Sequence, residues 1–258
     1  MNKATIQQTV QAQFGRSAAD YVTSSVHAKG WTLQRMVDLV QPQADWKMLD
    51  IATAGAHTAI IFAPHVAHVV ASDITQEMLE VAAGHSAEKG ITNISFEYAE
   101  AGNLPFNDNS FDLVTCRIAP HHFPDIFTFL RECHRVVKAG GTVAIVDNIV
   151  PDGLGGDYIN AFEKLRDPSH VSCNSAEMWE QDIYGAGLTL THKETGNMAI
   201  PFDSWVTRMR VSDDNRLRLK ALLAQAPDEA ASSLTPKFDG DTITFYLQRI
   251  VLIAKKEV

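Results

Sequence analysis

Met48-Leu49-Asp50-Ile51-Ala52-Thr53-Ala54-Gly55-Ala56-His57-Thr58-Ala59 runs from an apolar strand, through an acidic residue and a tight turn of small residues, into a helix. Parallel-sheet proteins build nucleotide-type cofactor sites from this layout, at the carboxyl end of a strand. Such turns ordinarily carry glycine at alternate positions, because glycine bends freely and lets backbone approach a ligand closely. Here alanine stands at Ala52, Ala54 and Ala56, and Gly55 is the turn's one glycine. If two of these alanines take positive φ, each costs about 1–2 kcal/mol. At about 1.4 kcal/mol per tenfold, ligand affinity then falls roughly ten- to thousandfold. At negative φ the cost is methyl crowding instead.

Strand and helix signals alternate outward from this turn. Lys47–Ile51, His68–Asp73, Ile94–Tyr98, Phe111–Arg117 and Thr142–Asp147 read as strands. Between them, Thr58–Val66, Thr75–Lys89 and Ile126–Val137 read as helices, with Thr75 capping the second and Ala139-Gly140-Gly141 stopping the third. Repeated β-α-β units with apolar strands specify an α/β fold: a mostly parallel sheet with helices on both faces. Ligands bind such sheets at strand carboxyl ends. Asp50, Asp73, Glu100, Arg117 and Asp147 all fall there, and that convergence marks a site.

The flanks read differently. Ile6–Val40 is helical with a break near Gly30. Residues 149–157, rich in glycine and proline, are expected to be mobile. Tyr158–Leu165, Ser175–Ala186 and most of Pro201–Ala226 are expected to be helical, and Gly187–Thr195 and Thr242–Ala254 to be strands. The reading is one domain over 1–258, with a helical cap (1–45), a cofactor-binding core (46–148) and a substrate cover with closing strands (149–258).

The chain has 258 residues, 45% hydrophobic and 21% charged, with a net charge of −9. An acidic excess argues against nucleic-acid partners. The 3 cysteines form no CxxC pair, which argues against zinc and for a reducing, cytoplasmic setting. No run is long and apolar enough for a membrane span. A monomer or homodimer acting on a small molecule is expected.

The ordered motifs Leu49–Ala56, Ser72–Leu79, Asn103–Phe106, Ser110–Arg117, His121–Phe123 and Arg135–Gly141 resemble class I S-adenosylmethionine-dependent methyltransferases. The similarity is greatest to the group that includes ubiquinone/menaquinone C-methyltransferases. The resemblance implies a Rossmann-like sheet of seven strands with the last antiparallel, and S-adenosylmethionine as cofactor. It implies that Asp73 accepts hydrogen bonds from the ribose hydroxyls and that Glu100 and Ala101 meet the adenine. Ile74 and Met78 would pack on that ring, although Met78 is equally placed for the helix core. Asp50, Ala52, Thr53, Ala54, Gly55, His57 and Arg117 complete the implied cofactor site.

Methyl transfer needs a positioned nucleophile and, for many acceptors, a base. Histidine titrates near neutral pH, so His121, His122 and His170 are the candidate bases. Arg166 is a candidate for holding an acidic substrate group, the alternative being a surface turn with Asp167. Tyr21 and His27 are candidates for closing the substrate pocket. A nicotinamide site is rejected because the GxGxxG positions read Ala52, Ala54 and His57. The adjacent histidines lack the i, i+4 spacing of a helical zinc site. The arginines from 208 to 220 read as a solvated helical face. The alanine-substituted turn raises an alternative: a cofactor-binding protein that is repurposed or degraded and does not methylate. A scaffold role is the third possibility.

Overall fold

The computed structural model of the protein describes residues 2–15 and 30–258. Helix α1 spans Lys3–Gly15 and α2 spans Trp31–Val40. The alternating core follows: β1 (Lys47–Ile51), α3 (His57–Phe62), β2 (His68–Asp73), α4 (Gln76–Glu88), β3 (Ile94–Tyr98), β4 (Phe111–Arg117), α5 (Ile126–Val136) and β5 (Val137–Ile149). The cover adds α6 (Leu154–Arg166), α7 (Ala176–Gly185), β6 (Leu188–Pro201), α8 (Phe202–Arg208), α9 (Asp213–Ala224), α10 (Asp228–Leu234), β7 (Lys237–Asp239) and β8 (Thr242–Lys256).

The strands form one sheet in the order β3-β2-β1-β4-β5-β8-β6, with β7 paired to β8. The pairs among β1 to β5 are parallel, whereas β8 runs antiparallel to β5, β6 and β7. Chain order reverses between β1 and β4. The carboxyl ends of those two strands, at Ile51 and Arg117, therefore flank the crevice where such sheets bind ligands.

Side-chain alternation fills both faces of the sheet. Leu49, Ile51, Val114, Ile145 and Leu252 pack with Phe129, Cys133 and Trp179 of α5 and α7. Met48, Val69, Leu113, Val146 and Val251 pack with Met36, Val40 and Phe62 of α2 and α3. The cover has its own core, in which Phe162 stacks on Trp205 at 5.1 Å and Phe245 meets Trp205 edge-on at 4.9 Å.

The mostly parallel α/β sheet expected from the sequence is present, and several local expectations are corrected. β7 is an eighth strand, made by the hairpin at Asp239-Gly240-Asp241. β5 starts at Val137, ahead of the glycine pair, because Val137 pairs with Phe111 before the register shifts to Leu113 opposite Thr142. The helix after the first turn stops at Phe62 and passes into a tighter turn at Ala63–His65, since Pro64 cannot continue it. Thr75 occupies the cap position of α4 without a side-chain cap bond; Asp73 Oδ1 accepts the Thr75 N–H instead, at 2.9 Å.

The glycines near residue 155, expected to give mobility, give close packing. A Cβ on Gly156 would lie 2.1 Å from the Pro151 carbonyl oxygen. Gly84, within α4, has no such neighbour within 4 Å. Gly156→Ala is therefore expected to lower unfolding free energy by about 2 kcal/mol or more through overpacking. Gly84→Ala is expected to raise it by about 0.5–1 kcal/mol through helix propensity. Urea denaturation of the two variants checks both signs.

Candidate active site

The first turn takes the strained path. Ala52, Ala54 and Ala56 have φ of 53°, 46° and 61°, while Gly55 is not among the positive-φ positions. Left-handed alanine costs about 1–2 kcal/mol per residue, so surrounding groups must fix it. Thr53 N–H donates to the Ser72 carbonyl at 2.9 Å and Ala56 N–H to the Thr53 carbonyl at 2.8 Å. Ala54 N–H donates to Asp73 Oδ2 at 3.1 Å. His85 Nδ1 holds the Gly55 carbonyl at 2.7 Å, and Thr53 Oγ1 donates to Asp50 Oδ2 at 2.7 Å. Asp50 Oδ1 also accepts from Thr115 Oγ1 at 2.6 Å. Burial pushes Asp50 up to about 6, against these hydroxyls. At the end of β4, Ile118 has φ of 55°, exceptional for a β-branched residue. Strain thus gathers on both strands that flank the crevice.

A cavity of about 420 Å³ opens there. One end is lined by Asp73, Ile74, Met78, Glu100 and Ala101, and its side by Ala52, Thr53, Ala54, Gly55, His57 and Arg117. Asp73 is buried, and burial raises its pKa against the backbone donors of Thr75 and Ala54. These two N–H groups leave lone pairs on both oxygens, which suits a vicinal diol. Met78 faces both the cavity and a small cluster with Phe14 and Val81. Glu100 pairs with Lys3. His57 packs edge-on to His85 at 5.1 Å.

Helix α1 crosses this end. Ile6, Val10 and Phe14, four residues apart, line the cavity with Gln7. The Gln7 Nε2 is buried with no hydrogen-bond partner among the described residues, so a donor stands ready at the wall. A carboxylate with spare acceptors, apolar platforms and an unused amide donor fit a nucleoside-bearing cofactor such as S-adenosylmethionine. Tyr21 and His27 lie outside the described residues.

The other end holds three histidines in unlike environments. His121 Nδ1 lies 2.6 Å from Asp147 Oδ1, and Asp147 Oδ2 accepts the His121 backbone N–H at 2.9 Å. Burial opposes protonation of His121, but the charge and hydrogen bond of Asp147 outweigh it and the pKa lies above 6.5. The rings of His122 and His170 stand 4.2 Å and 5.6 Å away. Burial, with the charge of His121, lowers His122 to about 4. His122 Nδ1 faces the Ser169 carbonyl at 3.1 Å. His170 is lowered to about 2, again chiefly by burial, and its Nε2 meets Asn160 Oδ1 at 2.9 Å. Of the three, His121 is the strong proton acceptor. Among the described residues, no group of three or more His, Cys, Asp or Glu side chains is arranged to hold a metal.

Arg166 is buried against Trp205, its Cζ 4.8 Å from the ring, and lies 3.9 Å from Glu163 Oε2. The surface turn considered for Arg166 and Asp167 is thus absent, Asp167 being buried and the Arg166 side chain 9% exposed. Sequence reading missed Arg249, Asn148 and Trp205, which also line this end. It grouped Arg208 with a solvated face, but Arg208 is half-buried and lines the cavity. The signal for Arg249 was a charge in step with the apolar alternation Ile243, Phe245, Leu247.

Ala54→Gly removes left-handed strain worth about 1–2 kcal/mol and adds chain entropy worth about 0.4–1 kcal/mol. It is expected to raise unfolding free energy by about 1 kcal/mol, measured by urea denaturation. Ala56→Gly is expected to gain less, because its fully buried methyl packs in the core with Phe62. Equal gains at both positions would contradict this.

The family model described as "Methyltransferase domain" matches residues 49–145. The uncharacterized methyltransferase YcgJ of Bacillus subtilis is 35% identical over 247 residues, covering 95% of this chain and 98% of that protein. Its crystal structure superposes with a TM-score of 0.85 at 33% identity, covering 88% of this chain and 98% of YcgJ. The demethylmenaquinone methyltransferase of Listeria monocytogenes is 32% identical over 145 residues, 55% of this chain and 60% of that protein. With the strand order, the turn and the likeness over nearly its full length, this chain belongs to the class I S-adenosylmethionine-dependent methyltransferases.

Proposed function

We propose that the protein methylates a small-molecule acceptor, with Asp73 holding the ribose of the cofactor and His121 acting as the base. The observation that carries the reading is one continuous cavity lined by both Asp73 and His121, the latter held from behind by Asp147. Bound S-adenosylmethionine supplies an electrophilic methyl group on a sulfonium. The residues of the chain do the rest. Asp73, Met78 and Gln7 bind and orient the nucleoside part. Asp147 fixes the protonated nitrogen of His121 as Nδ1, so Nε2 is left to take the proton from the acceptor. Helix α1 and the cover limit the entry of water. A cavity of about 420 Å³ suits a small-molecule acceptor, and the net charge of −9 disfavours nucleic acid. The left-handed path of Ala52, Ala54 and Ala56 is built into the fold, so its strain weighs on folding stability and not on cofactor affinity, which answers the argument for a repurposed or degraded site.

Isothermal titration with S-adenosylmethionine tests the cofactor role. Binding in the micromolar range is expected, weakened about tenfold or more in Asp73→Ala, since a charged hydrogen-bond acceptor is lost. Absence of binding to the folded protein at millimolar cofactor would overturn the reading.

The pH profile tests the base. A base works only when deprotonated, so kcat is expected to rise with pH through the His121 pKa, above 6.5. Asp147→Asn removes the charge that raises this pKa, so the rising limb is expected to move to lower pH. His121→Ala is expected to lower kcat by about 10²–10⁴ with cofactor affinity retained. A limb that stays in place in Asp147→Asn counts against His121 as the base.

A further inference from the structure

Strand β8 presents Ile243, Phe245, Leu247 and Arg249 at alternate positions, all buried. The first three belong to the apolar core of the cover. Arg249 continues that row into the cavity and is only 3% exposed. Its Nε donates to Asn148 Oδ1 at 3.2 Å. Its Nη1 is buried with no hydrogen-bond partner among the described residues, and Arg249 makes no ion pair there. Burying a guanidinium this way is unfavourable unless an anion meets it.

Neighbouring charges sharpen the point. Burial lowers the Arg249 pKa to about 9, the charge of Arg117 adds to that, Asp147 opposes it and Arg208 adds again. Three guanidinium groups therefore stand close enough to repel. The nearby carboxylates have other partners: Asp147 holds His121, and Asp167 holds Ser169. Glu163 lies nearest Arg166 and its charge also acts on Arg208, while Asp50 acts on Arg117.

We propose that the acceptor carries an acidic oxyanion group, a carboxylate or a phosphate, that docks on Arg249 beside Arg117 and Arg208. The inference rests on the methyl-transfer reading above. The planar fork of arginine suits either oxyanion. The cavity wall beside Arg249 is apolar at Ile200, Trp205 and Leu247, so the rest of the acceptor is apolar. The site selects a small amphiphilic acid and disfavours a cationic amine.

The test is calorimetry on the full chain with S-adenosylhomocysteine present, using phenylacetate, phenyl phosphate and neutral phenylacetamide as probes. One of the anions is expected to bind about tenfold or more tightly than the amide, and which one wins assigns carboxylate or phosphate. Arg249→Gln is expected to erase that preference while S-adenosylhomocysteine binding is retained. Arg208→Gln, at a half-buried position that tolerates change better, is expected to reduce it about threefold. The proposal is overturned if the amide binds as tightly as both anions, if neither anion binds at about 10 mM, or if the preference survives in Arg249→Gln or, should that variant fail to fold, is undiminished in Arg208→Gln. Failure of S-adenosylhomocysteine to bind the unmodified protein would instead overturn the methyl-transfer reading.

Discussion

The site depends on the hydrogen-bond net that holds residues 52 to 56 in a left-handed path. Three alanines at positive φ cost about 1–2 kcal/mol each. They persist because Asp50 of β1, Ser72 and Asp73 of β2 and His85 of α4 hold the turn from three elements. Asp73 is central to the net: one oxygen restrains Ala54, the other starts α4 through Thr75, and the residue lines the cavity. The carboxylate that shapes the turn is thus the one we propose to receive the cofactor. Ile118, on the facing strand end, is strained as well, so both rims of the crevice carry left-handed backbone.

At the opposite end, electrostatics sorts chemically alike residues. His121, His122 and His170 lie within one cluster, the first and last buried and His122 half-buried. Only His121 has a carboxylate on its ring, and that single contact reverses the direction in which burial moves its pKa. Its neighbours stay neutral, and their ring nitrogens meet Ser169 and Asn160. A neutral surround keeps the proton on the residue best placed to carry it. The arginines beyond create the complementary field, positive where the histidines are not.

Most of the architecture was legible because it follows from local pattern. Apolar strands ending in Asp50, Asp73 and Arg117, separated by helical spacings, suffice for a parallel sheet and for the position of its crevice. Asp73 and the His121-His122 pair were visible for the same reason. The turn was only half legible: its residues were plain, but the φ of Ala52, Ala54 and Ala56 is set by Ser72 and His85, tens of residues away. The choice of His121 over His122 depends on Asp147, 26 residues on, and Arg249 enters the site from the last strand. The glycines near residue 155 misled because close packing and mobility use the same residue. Tertiary contacts made these decisions.

The most direct measurement is a crystal structure of the protein with S-adenosylhomocysteine. The account requires positive φ at Ala52, Ala54 and Ala56, the ribose hydroxyls on Asp73, and the sulfur opening toward the His121 side of the cavity. A turn relaxed to negative φ, or a ribose bound away from Asp73, would contradict it.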